Sequence, residues 1–126
     1  MSLVRRATAE DASEVLRLRQ VMIDSVFVVD HPERPGVLAA MVAGTLEYRI
    51  GRADNPHGRV GYIFSVATDP DARRRGYARA CMAELLEWFR ERGAAQVDLN
   101  ASAEAEPLYV SLGFVRKPDP SMRLAL

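Results

Sequence analysis

At 126 residues the chain holds one domain, residues 1–126, and is too short for two at roughly 100–200 residues apiece. Its 48% apolar and 27% charged residues are those of a globular protein and exclude a disordered tail or a fibre. Seventeen basic residues balance seventeen acidic ones, eight against eight through Ile63 and nine against nine after it. Without a net basic field, nucleic acid is not expected as a partner, and any polyanion must be small and locally held. No apolar run approaches the roughly 18 residues of a membrane span, so no membrane association is expected. The opening MSLVRRATAED lacks the apolar core of a secretory signal, and a lone cysteine, Cys81, cannot form an internal disulfide. A cytoplasmic location fits both.

In chain order, Leu3 to Arg6 reads as a short first strand. Thr8 follows as an N-cap, with Glu10, Asp11 and Glu14 in the first turns, where acids suit the helix dipole. Val15, Leu18 and Met22, with Leu16, Arg19 and Ile23, continue that helix as an amphipathic stripe to Asp24. Val26 to Asp30 is a β-branched strand, and the prolines and glycine of His31 to Gly36 make a turn. Val37 to Ile50 is a long strand with a bulge expected at Gly44. Gly51 to Arg59 is a polar loop, and Val60 to Thr68 is the most apolar strand. After the arginine-rich connection Asp69 to Arg75, Gly76 to Arg92 is a helix whose apolar face carries Ala78, Cys81, Met82, Leu85, Trp88 and Phe89. Gly93 closes it. Gln96 to Asn100 is a strand, and Glu104 to Leu112 is a short helix with Pro107 in its first turns and Gly113 as its stop. Met122 to Leu126 reads as a last strand. The order β-α-β-β-β-α-β-α-β is α/β with a partly antiparallel sheet, unlike the strict alternation of a doubly wound nucleotide fold.

One junction is abrupt. The first helix ends near Asp24 and the next strand begins at Val26 with neither glycine nor proline between, where about 2–6 residues of turn are usual. Either a segment is missing there, with a gap expected at Ser25–Val26, or the cleft is left open on that side.

The stretch richest in chemistry is Val66 to Ala78, VATDPDARRRGYA: a buried strand, a basic connection, then Gly76 and Ala78 at a helix start. The unpaired N–H groups of a first helical turn make an anion site, and the two small residues let a phosphate approach the backbone. Arg73, Arg74 and Arg75 add local positive charge. The plain alternative is a solvated basic loop before an ordinary helix.

Arg73-x-x-Gly76-x-Ala78, after a strand ending Val66-x-Thr68-x-Pro70, resembles the acetyl-coenzyme A signature of the GNAT superfamily of N-acetyltransferases. Asn100 followed by Pro107-Leu108-Tyr109-x-x-Leu112-Gly113-Phe114 is similar to that family's second signature, and the two together span residues 60 to 114. The resemblance implies a mixed sheet flanked by helices on both faces. It implies that the backbone at Val66 and Thr68 pairs with the pantetheine arm, the Val66 N–H holding the thioester carbonyl. It implies a pyrophosphate cradle from Arg74 through Arg75, Gly76 and Tyr77 to Ala78, flanked by Arg73. The Asn100 amide would reach the pantetheine, and the Tyr109 phenol, with an ordinary pKa about 10, would protonate the departing thiolate.

Two departures stand out. Ala78 replaces a commoner glycine, and Tyr62 stands where some members carry the glutamate that deprotonates the acceptor. The base is therefore unassigned, with a water chain ending on Glu47 or Ser65 as the candidate. His57, in a Gly/Pro/Asn loop, and His31, before Pro32, read as non-catalytic, and Cys81 reads as a core residue. No His/Cys/Asp/Glu cluster has metal-ligand spacing, so no metal is expected.

The expected function is acetyl transfer from acetyl-coenzyme A to a primary amine of a small molecule or protein by direct attack. The alternative is an acyl-coenzyme A-binding module without turnover. The identity of the acceptor is not encoded in any motif, and the oligomeric state, with a homodimer among the options, is open.

Overall fold

The structure, a computed structural model, describes residues 5–6, 8–14 and 25–126. Leu3 and Val4 of the expected first strand lie outside these residues, and Arg5 and Arg6 are irregular. Thr8 does open a helical segment: a 3-10 turn Ala9–Asp11 runs into helical residues 12–14. The Asp11 carboxylate accepts from the Thr8 backbone N–H at 2.8 Å, while the Asp11 N–H donates back to the Thr8 carbonyl at 3.0 Å. The rest of that helix, 15–24, falls outside the described residues, and with it the helix expected on the second face of the sheet.

Four strands form one mixed sheet in the order β1 (Ser25–Asp30), β2 (Leu38–Tyr48), β3 (Arg59–Thr68) and β4 (Gln96–Leu99). β1–β2 and β2–β3 are antiparallel and β3–β4 is parallel. The parallel pair needs a crossover, which the helix α1 (Tyr77–Glu91) supplies before the short helix α2 (Glu106–Ser111). β1 continues unbroken through Ser25 and Val26, paired with Gly44 and Ala43, so the gap expected at Ser25–Val26 is absent. Strand alternation sends Phe27, Val29, Val42, Leu46 and Ile63 to the α1 side, where Cys81, Met82, Leu85 and Phe89 meet them as the core.

The Phe89 ring lies flat against two glycines on neighbouring strands. A Cβ on Gly61 would come within 2.8 Å of the ring and one on Gly44 within 2.9 Å, so both positions must lack side chains for the helix to dock. The expected bulge is found between Ala43 and Gly44, but the extra residue belongs to the facing strand: Ala43 pairs Ser65 and Gly44 pairs Ile63, leaving Phe64 unmatched. Extra length in one strand bends it. Directly after Ile63, β3 parts from β4, whose last pair is Ile63 with Leu99.

The last expected strand is not formed. Met122, Leu124 and Leu126 are exposed in an irregular tail, because residues 114–121 pass beside β4 without entering its ladder. A strand needs a partner's hydrogen bonds, and alternation in five residues supplies none. Gly93 and Gly113 take the positive φ expected of helix stops, 77° and 100°.

Candidate functional site

The site is built around the divergence of β3 and β4. Pairing between them covers Val60–Ile63 against Gln96–Leu99, while β3 stays paired to β2 as far as Thr68 with Ala40. Phe64 to Thr68 therefore have no strand on the β4 side among the described residues. Val66 and Thr68 lie on this open edge, Val66 packed against the core and Thr68 lining a cavity of about 290 Å³.

The connection that follows is tightly built. Asp69 caps a 3-10 turn, Pro70–Ala72, with its carboxylate accepting from the Asp71 N–H, and Ala72 is fully buried. Arg73 is extended, Arg74 is left-handed at φ 63°, and Gly76 is left-handed at φ 80°. Arg74 is the only non-glycine with positive φ among the described residues, a conformation that costs about 1–3 kcal/mol and persists only where the surroundings impose it.

Gly76 is the N-cap of α1, and the first helical bond runs from the Ala80 N–H to the Gly76 carbonyl at 3.0 Å. The N–H groups of Tyr77, Ala78 and Arg79 come before that bond, no side chain caps them, and the first turn holds no acid. A Cβ built on Gly76 would meet nothing within 4 Å. Arg73, Arg74, Gly76, Tyr77 and Ala78 all line the 290 Å³ cavity with Thr68. An anion at the helix start would find a positive dipole end, open space and three guanidinium groups, those of Arg73, Arg74 and Arg79, that take no acidic partner among the described residues. Arg75 differs: its guanidinium donates to Glu33 at 2.6 Å and to the Asp71 carbonyl at 3.1 Å, and Glu33 and Tyr77 raise its pKa further.

Asn100 and Tyr109 are brought together elsewhere. Both line a second cavity of about 490 Å³ between β4, α2 and the segment after Phe114. Tyr109 is 6% exposed and meets the Phe114 ring edge-on at 6.0 Å, and burial pushes its phenol above the ordinary value. The two cavities adjoin through consecutive residues of α2, Leu108 lining one and Tyr109 the other. The Asn100 amide donates to the Tyr62 hydroxyl at 3.1 Å. Tyr62 is paired with Asp98 one position before the strands part, so this bond spans the apex of the opening.

Sequence reasoning missed Arg79 and Leu108 as cavity residues. Arg79 donates to the Ser111 hydroxyl at 2.7 Å and so ties the start of α1 to α2. No residue-type signal marks either position, since an arginine and a leucine on short helices are ordinary. Of the base candidates, Glu47 is held by Arg49 at 2.5 Å, and Ser65 pairs with Ala43 beside the bulge. His31 is buried in its turn, as expected of a structural histidine, and Cys81 is buried on α1 with its thiol pKa raised by burial.

Comparison with known proteins supplies the context. The sequence profile described as "Acetyltransferase (GNAT) family" matches residues 5–114. The chain is 34% identical over 94 residues to glucosamine 6-phosphate N-acetyltransferase 1 of Oryza sativa subsp. japonica, covering 75% of this chain and 55% of that one. It is 40% identical over 55 residues to the ribosomal protein bS18 alanine N-acetyltransferase of Escherichia coli, covering 41% of this chain and 37% of that one. It thus spans about half, or less, of the length of these relatives. A predicted acetyltransferase from Clostridium acetobutylicum, solved with acetyl-CoA, shares the fold with a TM-score of 0.74 at 22% identity, over 97% of this chain and 79% of that one.

Proposed function

The chain belongs to the acetyltransferase (GNAT) family, and from that premise we propose that it moves acetyl from acetyl-coenzyme A to a primary amine. One observation carries the proposal: a strand edge left open beyond Ile63 leads directly into a left-handed Arg74 and Gly76, over which α1 begins with uncapped N–H groups. The residues present fit a phosphorylated thioester, because the space above Gly76 is clear and the cavity beside it is lined by backbone and arginine.

In this reading Tyr77 and Ala78 donate backbone N–H groups to the pyrophosphate, the loop backbone from Arg74 through Arg75 and Gly76 completes the cradle, and Arg73 and Arg74 neutralise its charge. Val66 and Thr68 offer main-chain groups to the pantetheine as an added strand would, and the Val66 N–H stabilises negative charge on the carbonyl oxygen. The bound thioester supplies the activated acetyl. Asn100, oriented by Tyr62, hydrogen-bonds the pantetheine amide. Tyr109, a phenol whose pKa burial raises further, keeps its proton at neutral pH and gives it to the departing thiolate, while the proton lost by the attacking amine passes to solvent water. An acyl-enzyme is disfavoured: Cys81 is 3% exposed, and burial keeps it in the thiol form.

The relatives' names point to two acceptor classes, glucosamine 6-phosphate and an alanine of a ribosomal protein. The same names favour turnover over a binding-only module. The lone buried thiol fits a reducing compartment, and we assign the reaction to the cytoplasm.

The test is a thermal-shift titration with acetyl-coenzyme A followed by a free-thiol assay against an amine panel containing glucosamine 6-phosphate and an alanine-terminated peptide. A shift with amine-dependent thiol release is expected. A shift with no release for any amine would overturn the enzyme reading in favour of a binding module, and no shift would overturn both.

A further inference from the structure

The phosphate-side loop is braced from a distant part of the chain by a histidine that has no place in the chemistry above. His31 stands at the end of β1, and its side chain is only 2% exposed. His31 Nδ1 lies 3.2 Å from both the backbone nitrogen and a carboxylate oxygen of Glu33, and Nε2 lies 2.8 Å from Asp71 Oδ1. Asp71 lies inside the 3-10 turn that leads to the arginines, and its carbonyl accepts from Arg75 at 3.1 Å. Glu33, two residues beyond His31, takes the other arm of Arg75 at 2.6 Å. Arg34 of the same turn reaches Asp69 and Asp71.

The turn between β1 and β2 thus grips the connection Asp69–Arg75 at three points. Two consequences follow from the geometry. Arg75 is neutralised by Glu33, so Arg73, Arg74 and Arg79 are the cavity-lining guanidinium groups without an acidic partner among the described residues. And Arg74, the residue strained by a left-handed conformation, lies between Asp71, which the buried imidazole holds, and Arg75, which Glu33 holds.

We infer that His31, through Asp71, is a positioning residue for cosubstrate binding: it fixes the backbone donors at the start of α1 in the geometry that receives the pyrophosphate. The inference rests on the acetyl-coenzyme A reading above. It differs from a general stabilising role in that the loss appears in cosubstrate affinity rather than in stability alone.

Calorimetric titration of acetyl-coenzyme A into five proteins separates these roles: the unaltered chain, His31→Leu, His31→Gln, Asp71→Ala and Asn55→Ala. Glutamine can accept from the Glu33 N–H and donate to Asp71 in place of the imidazole, and Asn55→Ala lowers stability by removing the hydrogen bond that the buried Asn55 amide donates to the Arg59 carbonyl at 3.0 Å, at the opposite end of β3 from the loop. His31→Leu and Asp71→Ala are each expected to weaken binding about ten-fold, His31→Gln to bind within about two-fold of the unaltered chain, and Asn55→Ala to bind as the unaltered chain does. Combining His31→Leu with Asp71→Ala should cost less than the sum of the two, because both break the His31–Asp71 link. Should His31→Leu fail to fold, Asp71→Ala, whose side chain is 53% exposed, still decides the matter. Unchanged affinity in Asp71→Ala, or an equal loss in Asn55→Ala, would overturn the positioning role. Absence of binding by the unaltered chain would instead overturn the functional reading and this inference with it.

Discussion

In the proposed reading, the two halves of the site use opposite strategies. On the phosphate side the ligand-facing groups are mostly backbone: N–H groups at the start of α1 and the left-handed turn at Arg74 and Gly76. Side chains there chiefly hold the loop in shape, Asp69 by capping, Arg75 by bridging Glu33 and the Asp71 carbonyl. At the apex of the strand opening the groups proposed to face the ligand are side chains, Asn100, bonded to Tyr62, and Tyr109, packed on Phe114. A backbone site tolerates many residue types but fails when its shape or space is lost. A side-chain site keeps its shape under conservative substitution but loses a single chemical step.

Gly76→Glu should produce the largest effect. It places a carboxylate into the space above the helix start and forces a side chain into φ 80°, so acetyl-coenzyme A binding should fall below detection by calorimetry while the circular dichroism spectrum stays native. Retained affinity would show that the phosphate does not rest on this backbone.

Tyr109→Phe comes next and should behave in the opposite way. The ring and its contact with Phe114 remain, cosubstrate affinity should be unchanged, and kcat should fall about 10²–10⁴-fold. Since burial raises the phenol pKa, the acid form persists through neutral pH, and activity limited by this group should decline only as pH rises above about 10. A variant with full kcat, chemistry being rate-limiting, would remove Tyr109 from the reaction.

Arg74→Gly sharpens the contrast on a smaller scale. Glycine accepts φ 63° without penalty, so the melting temperature should hold or rise, by about 0.5–1 kcal/mol of stability, while loss of the guanidinium weakens cosubstrate binding several-fold. A parallel loss of both would mean that the arginine is structural.

The smallest effect is on acid stability. His31, then Asp69 and Arg34, hold the Asp71 carboxyl below its ordinary value, and Arg5 with the Thr8 N–H holds Asp11 down to about 2. Both groups bind fewer protons folded than unfolded, so their contribution is complete above about pH 4 and fades as pH falls through the folded values. Melting temperatures between pH 5 and pH 2 should show this slope, and Asp71→Asn should flatten its upper part.

Sequence periodicity alone determined the sheet-and-helix order from Val26 to Leu112, because alternation in the strands and the stripe on α1 each bury one face whatever the neighbours are. It also determined the glycine stops and the arginine-rich connection that leads into α1 at Gly76, since these depend on local backbone chemistry: small residues at a helix start and basic residues before it. The tertiary structure decided what depends on partners distant in the chain. The bulge was legible at Gly44, yet only the pairing with β3 assigns its extra residue to Phe64. Met122 to Leu126 alternates like a strand but meets no ladder, because the chain beside β4 runs past it unpaired. Three adjacent arginines look alike in sequence, and only the turn at Glu33 sets Arg75 apart from the other two. His31 reads as a turn residue until folding carries it to Asp71, forty positions away, since a hydrogen bond between distant segments leaves no local pattern.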